Sequence, residues 1–439
     1  MSSATYRETK SAYAPWIDEI PVNWTETRLR FCADVSNSNV DKKEHEGQLA
    51  VRLCNYTDVY YNERITPDLD FMVATASKAE IKEFGLRQND VIITKDSEDP
   101  FDIGIPTIVD RDMPNVVCGY HLSVIRANGT VLANFLRYSL MSAVNKAHMY
   151  VQTPGITRFG LNQNTIKNIL VFAPPPDEQA AIAGYLDRET ARIDGLIEKK
   201  TRFIALLKEK RAAAITHAVT TGIDGKVAMK LSGHDWLGNI PAHWDVVPPT
   251  VLFTESKERA REGDQMLSAT QKYGVIPLKE FEALEQRQVT MAVVHLDKRK
   301  HVELGDFVIS MRSMDGGLER ARAVGNVRSS YSVLKCGPDV EARFYGYLLK
   351  CSLYIQALRL TSSFIRDGQD MNFGHFRKVS LPRLPLAEQK AIADHLDAMT
   401  ARIDALMTKT DRSIALLREK RAALITAAVT GKIDVRSAA

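Results

Sequence analysis

The side chains with the clearest capacity for chemistry form a short charged string early in the chain. Pro67-Asp68 precedes Glu80-Ile81-Lys82, a pattern in which carboxylates hold Mg²⁺ and a lysine assists phosphodiester cleavage. Asp68, Glu80 and Lys82 would then make the chain a stand-alone Mg-dependent nuclease. The string has no counterpart in the second half of the chain, and strings this short often arise by chance. We keep the nuclease as an alternative to a non-enzymatic function.

Motifs of other enzyme classes are missing from the sequence. It contains no G-x-x-x-x-G-K-[ST] phosphate loop, no H-E-x-x-H zinc motif and no Asn-Pro-Pro-aromatic motif of adenine methyltransferases. The five cysteines form no Cys-x-x-Cys pair, so neither a zinc ribbon nor a disulfide framework is indicated. We expect buried free thiols, and no catalytic residue, metal or cofactor on this chain.

Polar side chains in several segments suit DNA recognition better than catalysis. They follow two equivalent apolar runs, or lie in two polar loops that contain glycine. Glutamine pairs well with the edge of adenine, and arginine with that of guanine. The base-reading candidates are Lys95, Asp96, Gln152, Thr153, Arg158, Arg312, Ser313, Arg366 and Gln369. Candidates for phosphate contacts are Lys146, Lys167, Arg377 and Lys378. In the alternative interpretation, each is an ordinary solvated residue and the chain is a coiled-coil scaffold that does not bind DNA.

The elements that must position these residues are duplicated. The segment 178–224 returns without a gap as 388–434, and most paired positions are identical. A second duplication places Trp16 and Trp24 in the same pattern as Trp236 and Trp244. Because only two copies occur and the period is long, the repeat predicts two halves related by a pseudo-two-fold axis rather than a solenoid. Between the landmarks the halves barely agree, as expected for two modules that read different things.

Each long repeat is predicted to be an amphipathic helix. Apolar residues from Ile182 to Ala218 recur on one helical face, Asp177 can cap the first turn, and Gly222 stands where a helix commonly ends. We expect the two helices to form an antiparallel coiled coil; the alternative is that each folds back on its own domain. Identical outer residues suggest a shared partner surface: Arg192, Asp194, Glu209, Lys210 and Arg211, with Arg402, Asp404, Glu419, Lys420 and Arg421.

Composition and repeats together predict the architecture. The chain has 439 residues and a mild formal charge of +4, which does not by itself name a nucleic-acid partner. No apolar run approaches a membrane span and no signal core is evident, so we expect a cytoplasmic protein. The variable stretches predict a mixed α/β fold. The expected divisions are globular domains at 1–173 and 223–383 and helical regions at 174–222 and 384–435.

This arrangement resembles the DNA-specificity subunit of type I restriction-modification systems. The match is carried by the Trp16–Trp24 and Trp236–Trp244 openers and by the helical repeats, with Glu178-Gln179 and Glu388-Gln389 near their starts. The resemblance implies two target-recognition domains that each read half of a bipartite DNA site, and antiparallel helices that set the unread spacer. It also implies two adenine-N6 methyltransferase subunits and motor-nuclease restriction subunits as partners. S-adenosylmethionine, ATP and Mg are expected on those partners.

Overall fold

The computed structural model describes residues 5–14, 16–289, 298–310, 313–361 and 371–436. The structure divides into two compact units, and neither unit coincides with one half of the sequence. The first unit comprises Met1–Thr201 and Asp411–Ala439, and the second comprises Arg202–Thr410. Each unit therefore contains one variable stretch, the first part of the helix that follows it, and the last part of the other long helix.

The elements of the first half are short strands and helices followed by one long helix. They are β1 (Thr9–Ser11), β2 (Glu19–Pro21), β3 (Thr25–Arg28), α1 (Leu29–Cys32), β4 (Ala33–Asn37), β5 (Leu49–Cys54), α2 (Tyr56–Tyr61), β6 (Arg64–Ile65), β7 (Met72–Ala76), α3 (Lys78–Phe84), β8 (Gly85–Leu86), β9 (Val91–Thr94), β10 (Asp96–Ser97), β11 (Pro106–Val109), β12 (Met113–Cys118), β13 (Leu122–Ala127), α4 (Ala133–Met141), α5 (Ala143–Val151), β14 (Phe159–Gly160), α6 (Gln163–Lys167), β15 (Leu170–Ala173) and α7 (Pro176–Thr221).

Two sheets organise the first unit. A five-stranded sheet has the order β4-β13-β9-β11-β6, and a four-stranded sheet has the order β7-β5-β12-β8. The predicted apolar run at 91–94 is β9, which is buried at every residue and antiparallel to both β13 and β11. Its central place explains the unbroken apolar run, because both faces of a central strand are covered.

The second half repeats this order with fewer strands in its main sheet. Its elements are β16 (Met229–Leu231), β17 (Asn239–Pro241), β18 (Asp245–Val247), a 3-10 turn (Pro249–Val251), β19 (Phe253–Ser256), β20 (Leu267–Thr270), β21 (Gly274–Pro277), α8 (Leu278–Glu285), β22 (Lys300–Val302), β23 (Phe307–Ile309), α9 (Ser313–Gly316), β24 (Glu319–Arg320), β25 (Gly325–Val327), β26 (Ser332–Cys336), α10 (Ala342–Leu348), α11 (Ser352–Leu360), α12 (Phe373–Phe376), β27 (Leu381–Arg383) and α13 (Leu386–Val429). The main sheet has the order β19-β26-β23-β24.

Equivalent strands keep equivalent turns in the two units. Asn89 and Gly305 both have positive φ, +67° and +91°, immediately before the aspartate that closes the turn preceding β9 or β23. Asp90 accepts a hydrogen bond from the backbone N–H of Arg87, as Asp306 does from that of Glu303. The weak sequence echo between these runs therefore reflects one shared turn.

The long helices α7 and α13 contain 46 and 44 residues, and their apolar stripes are buried as predicted. Ile182 and Leu186 enter the core of the first unit together with Ile425 and Ala428. Farther along α7, Asp194 meets Arg421, which precedes Ile425 on α13. The residue numbers of the contacting positions rise along α7 as they fall along α13, so the two helices are antiparallel within this unit.

The second unit contains the equivalent helix pairing. Ile215 and Ala218 of α7 share its core with Ile392 and Leu396 of α13, and Arg211 meets Asp404. Neither predicted alternative describes the helices completely, because the first part of each packs on its own module while the last part packs in the other unit. The mixed α/β fold with long antiparallel helices is confirmed.

The helix ends are as predicted at the C-terminus but differ at the N-terminus. Gly222 and Gly431 follow the helices with φ of +77° and +73°, the left-handed conformation that glycine adopts without strain. Gly431 lies against Pro21 and Trp24, and Gly222 against Pro241 and Trp244. The predicted cap at Asp177 is wrong. Helix α7 begins at Pro176, so Asp177 lies inside the first turn, where its negative charge interacts favourably with the helix dipole.

Polar contacts tie each tryptophan opener to the start of the following long helix. Trp24 Nε1 donates to Glu178 Oε1 at 3.0 Å, and Trp244 Nε1 donates to Glu388 Oε1 at 3.0 Å. The next residue, Gln179, accepts the backbone N–H of Leu132 at 2.7 Å, whereas Gln389 accepts that of Glu341 at 2.8 Å. The glutamate and the glutamine are repeated because each hydrogen-bonds to segments of its module that lie far apart in the sequence.

All five cysteines are free thiols, and four are buried. Within the described residues, no helix has both the length and the apolar character needed to cross a membrane.

Candidate nucleic-acid interface

Three base-reading candidates come together at one end of the five-stranded sheet. Lys95 and Asp96 follow β9, and Arg158 precedes β14, which pairs with β10. Asp96 Oδ2 lies 3.2 Å from Lys95 Nζ and 2.9 Å from His121 Nδ1. If Nδ1 of His121 carries the proton, its Nε2 accepts the Arg158 guanidinium at 3.2 Å. We refer to these four side chains as the His121 cluster.

A cleft beside the His121 cluster is aromatic and acidic. It is lined by Tyr56, Tyr60, Tyr61, Asp96, Glu98, Asp99, Asp102, His121 and Arg158. Tyr56 stacks on Tyr60 with 5.5 Å between ring centroids, and Tyr61 remains exposed. Carboxylates at this density repel phosphate but can accept from amino groups on base edges, such as cytosine N4. The chemistry of the cleft therefore suits base edges.

Sequence reasoning missed His121 because nothing in its local pattern marks it. It enters the cluster because Leu122 pairs with Thr94 across the sheet, which places the residue before β13 beside the residue after β9. Tyr120 covers it, with ring centroids 3.7 Å apart. The sequence signal that could have found His121 is its position directly before β13, the strand that is equivalent to β26.

Gln152 and Thr153 lie outside the His121 cluster, at the end of α5. Gln152 is exposed and lies in an apolar groove with Trp16 and His148. Thr153 donates its hydroxyl to the Met149 carbonyl oxygen. Nearby, Phe101 stacks on Tyr150 with centroids 4.1 Å apart, which joins the loop after β10 to the end of α5.

The candidates in the second unit have different outcomes. Ser313 is 1% exposed and its Oγ accepts the Ser310 N–H at 3.0 Å. Its hydroxyl is therefore buried and used in a turn, and the base-reading role of Ser313 stays a prediction. Arg312, Arg366 and Gln369 lie outside the described residues.

The phosphate-contact candidates occupy accessible positions in both units. Lys167 ends α6 and Arg377 follows α12, two short helices that are both capped by an asparagine. Lys167 lines an open groove with Arg30, Arg87 and Arg126. Arg377 and Lys378 are exposed, as is Lys146 on α5. The equivalence of Lys167 and Arg377 places a cation at the same point of each module.

The comparisons with known proteins concern nearly the whole chain. No protein-family model matches it. It is 21% identical over 429 residues to the type I restriction enzyme MjaX specificity subunit of Methanocaldococcus jannaschii, which covers 96% of each protein. It is 19% identical over 308 residues to the EcoBI specificity subunit of Escherichia coli, which covers 67% of this chain and 64% of that one.

Both relatives are type I restriction enzyme specificity subunits, the family that the sequence resembles, and the first matches this chain over nearly its full length. The resemblance carried by the tryptophan openers and the helical repeats is thereby confirmed. Two solved structures share the fold. The HsdS subunit of Thermoanaerobacter tengcongensis has a TM-score of 0.55 at 16% identity, covering 96% of this chain and 99% of that chain. A chain from a structure of type I R-M complex assembly and conformational transition has a TM-score of 0.66 at 17% identity, covering 94% and 99%.

Specificity subunits are the non-catalytic members of these systems. In this chain, the central carboxylate of the nuclease-like string has a structural role. Glu80 accepts the Ser77 backbone N–H at 2.8 Å and the Ser77 hydroxyl at 2.7 Å, which forms a capping box at the start of α3. Across the described parts of the chain, no three His, Cys, Asp or Glu side chains are grouped to hold a metal ion.

Four of the predicted partner-surface residues form ion pairs between α7 and α13. Arg421 Nε donates to Asp194 at 3.0 Å in the first unit, and Arg211 Nε lies 3.2 Å from Asp404 in the second. These ion pairs account for the repetition of the four residues without a partner protein. The other six candidates are exposed: Arg192, Glu209, Lys210, Arg402, Glu419 and Lys420.

Proposed function

We propose that this specificity subunit binds double-stranded DNA and that each unit reads one half of a bipartite site. The observation that carries the proposal is the contrast between repeated anchors and divergent surfaces. Tyr138 donates to Asp187 at 2.8 Å, as Tyr347 does to Asp397 at 2.7 Å. The segments that follow β9 and β23 share no such identity. A protein that recognises two different half-sites requires this combination of a shared scaffold and two different surfaces.

The long helices are proposed to set the unread spacer between the half-sites. Asp194 and Arg211 are separated by the same number of residues on α7 as Asp404 and Arg421 on α13. Both ion pairs can therefore form in one register of an antiparallel pair. A helix pair with fixed register has a fixed length per residue, which is the property that a spacer element needs.

Exposed leucines on the long helices support two protein partners. Leu196 and Leu206 of α7 are 36% and 52% exposed, and their repeats on α13, Leu406 and Leu416, are 40% and 56% exposed. Leucine repeated at exposed sites is unexplained by packing within the chain, and exposed apolar patches often mark interfaces. We propose that these positions, with the six exposed charged candidates, bind two adenine-N6 methyltransferase subunits.

The catalytic parts of the system are proposed to reside in the partners. The methyltransferase subunits would bind S-adenosylmethionine, and motor-nuclease restriction subunits would bind ATP and Mg. The proposal places the assembly in the cytoplasm, where it meets DNA. This chain would supply the DNA sequence to be modified and the surface on which the partners assemble.

Methylome sequencing tests the proposal directly. The chain is co-expressed with its methyltransferase partner in a host that lacks adenine methylation, and single-molecule sequencing reports the modified sites. We expect one motif with two specified halves and an unspecified gap of constant length. The matched control is the methyltransferase without this chain, which should modify no motif. A contiguous motif, or the same motif in the control, would contradict the proposal.

A further inference from the structure

One carboxylate of the first unit lies between two guanidinium groups that belong to different elements. Glu63 pairs with Arg137 of α4 at 3.3 Å and with Arg421 of α13. Arg137 is 1% exposed and also pairs with Asp187 of α7 at 3.4 Å. Burial of a cation is costly unless carboxylates face it, so both pairs of Arg137 matter. Glu63 is thus linked to both long helices, directly to α13 and through Arg137 to α7.

Glu63 lies next to the reading surface of the first unit, by which we mean the His121 cluster and the aromatic cleft beside it. It stands between α2 and the edge strand β6, and its carbonyl oxygen accepts the N–H of Ile108 on β11 at 3.3 Å. Tyr60 and Tyr61 of α2 line the cleft. The backbone of Glu63 therefore belongs to the sheet that carries the His121 cluster, while its side chain is held by α13.

A second polar contact joins the same module to α13. The backbone N–H of Ala143, at the start of α5, donates to Thr426 Oγ1 at 2.9 Å. The repeat of Thr426 on α7 is Thr216, which makes no such contact in the described part of the second unit. The first module is therefore fixed at two points to α13, the long helix that follows the other variable stretch.

The equivalent ion pair in the second unit involves the long helices alone. Arg211 of α7 is the repeat of Arg421, and among the described residues it pairs only with Asp404 of α13. The residue that corresponds to Arg137 is Gly346, and both Gly346 and Arg211 line a cleft. The shared frame therefore does not require the bridge through Glu63, which the first unit has in addition.

We propose that Glu63 is a positioning residue, which together with the Ala143–Thr426 contact holds the reading surface of the first unit at a fixed place on α13. This rests on the proposed function, in which the long helices set the gap between the half-sites. A gap of constant length requires a reading surface that is fixed to the helices. Charge-assisted contacts suit this task because they are short and strong. Glu63 then acts on the spacing of the half-sites and not on the identity of any base.

The test measures the preference for the native gap, as methylome sequencing defines it. The full chain is assembled with its methyltransferase partner, and competition binding compares duplexes with the native gap and with gaps one base pair longer or shorter. Glu63→Gln keeps the size of the side chain and removes its charge. It should reduce the preference for the native gap about tenfold, the effect of one lost charge-assisted contact. The control Glu83→Gln, an exposed carboxylate on α3 of the same module, should keep the wild-type preference.

The outcomes separate positioning from stability and from base reading. A merely structural role of Glu63 would weaken binding to all three duplexes equally, and that result would overturn the proposal, as would a wild-type preference in Glu63→Gln. Single-base variants of the target should show both half-sites unchanged, and a lost base preference would overturn the positioning role as well. In each of these cases the proposed function stands. It fails only if the wild type itself has no preference for a bipartite site.

A second variant keeps the proposal testable if Glu63→Gln does not fold. Thr426→Val keeps the size of the side chain, leaves every ion pair in place and removes the acceptor of the Ala143 N–H. Its matched control is Thr216→Val, the same change at the repeated position of α7. Thr426→Val should reduce the preference for the native gap, and Thr216→Val should not. Equal preferences in these two variants would overturn the proposal.

Discussion

Asp194 accepts a hydrogen bond from Arg421 at 3.0 Å in the first unit, and the same pair recurs in the second unit with the helices exchanged. Adding the repeat shift of 210 to Asp194 gives Asp404, and adding it to Arg211 gives Arg421. Arg211 and Asp404 are 3.2 Å apart. The same two positions of the repeat therefore form the interhelical ion pair in both units.

The two ion pairs should differ in strength. The Arg211 and Asp404 side chains are 37% and 50% exposed, so a double-mutant cycle with Arg211→Ala and Asp404→Ala should give a coupling of about 0.2 to 1 kcal/mol. The Arg421 side chain is 16% exposed and also pairs with Glu63. Its cycle with Asp194→Ala should give the larger coupling. Urea unfolding measures both, and a larger coupling at Arg211 would contradict this ranking.

Matched insertions in the long helices should change only the spacer. Seven residues inserted after Lys199 and after Lys409 keep the apolar stripes nearly in phase and preserve both ion pairs. They add about 10.5 Å, or about three base pairs. Methylome sequencing should show a longer gap between unchanged half-sites.

The control for this experiment is the insertion in one helix alone. It shifts the register between the helices, so methylation should be lost or the spacer altered without a change in either half-site. A changed half-site with an unchanged spacer would show that the helices do not set the gap.

The glutamates that anchor the tryptophan openers should matter unequally. Glu178 is 7% exposed and accepts from Trp24, from Tyr6 at 2.6 Å and from Asn23 at 3.1 Å. Glu178→Ala leaves these donors unpaired and should cost about 2 to 3 kcal/mol, whereas Glu388→Ala should cost about 1 to 2 kcal/mol because it strands fewer donors. Tryptophan fluorescence during urea unfolding compares them. Glu178→Gln keeps an acceptor and should lie between Glu178→Ala and the wild type.

Much of the fold follows from local pattern. The stripe from Ile182 to Ala218 predicted α7 because helical periodicity is written in consecutive residues, and Gly222 marked its end through backbone conformation. The run at 91–94 predicted β9 for the same reason. The repeat itself predicted two equivalent frames, since identical residues form identical contacts in each.

The candidate site was less predictable because its contacts are tertiary. His121 joins Asp96 only through the pairing of β13 with β9, and no neighbouring residue signals that pairing. Ser313 looks like an exposed loop residue in sequence, yet its hydroxyl closes a buried turn.

A buried histidine in the second unit should make stability depend on pH. His301 is 0% exposed, and its ring nitrogens each lie 2.8 Å from a carboxylate, of Asp264 or of Glu303. Burial alone would lower the pKa of His301, but the hydrogen bonds to both carboxylates outweigh burial and the effect of Arg261, so the pKa is raised. Folding therefore favours the protonated ring.

The sign follows from the raised pKa. The contribution of His301 to stability is complete below its unfolded pKa of about 6.5 and is lost as pH rises through the folded value. The stability difference between the wild type and His301→Gln should thus be constant below about pH 6.5 and shrink as the pH rises above it. Urea midpoints across this range measure it. A difference that grows with pH would mean that the ring is neutral in the folded protein.

Phosphate contacts should be blind to DNA sequence. Lys167→Gln and Arg377→Gln remove cations from equivalent positions of the two modules. Each should weaken DNA binding evenly across target and non-target duplexes and reduce the logarithmic salt slope by about 0.9, because one fewer counterion is released. A loss confined to one base pair would move either residue to the base-reading class.

Loss of a base contact should instead weaken binding at one particular base pair. The candidate for such a contact is Arg158 of the His121 cluster. Arg158 is exposed, and its guanidinium is held by His121, which is itself held by Asp96. Arg158→Ala should cost about 1 to 3 kcal/mol at one base pair of one half-site, since a bidentate contact to a base edge is lost. Competition binding with single-base variants of the target measures this cost. His121→Ala should relax the same position, because it frees Arg158 from its support. An even loss across all variants would show that Arg158 meets the phosphate backbone instead.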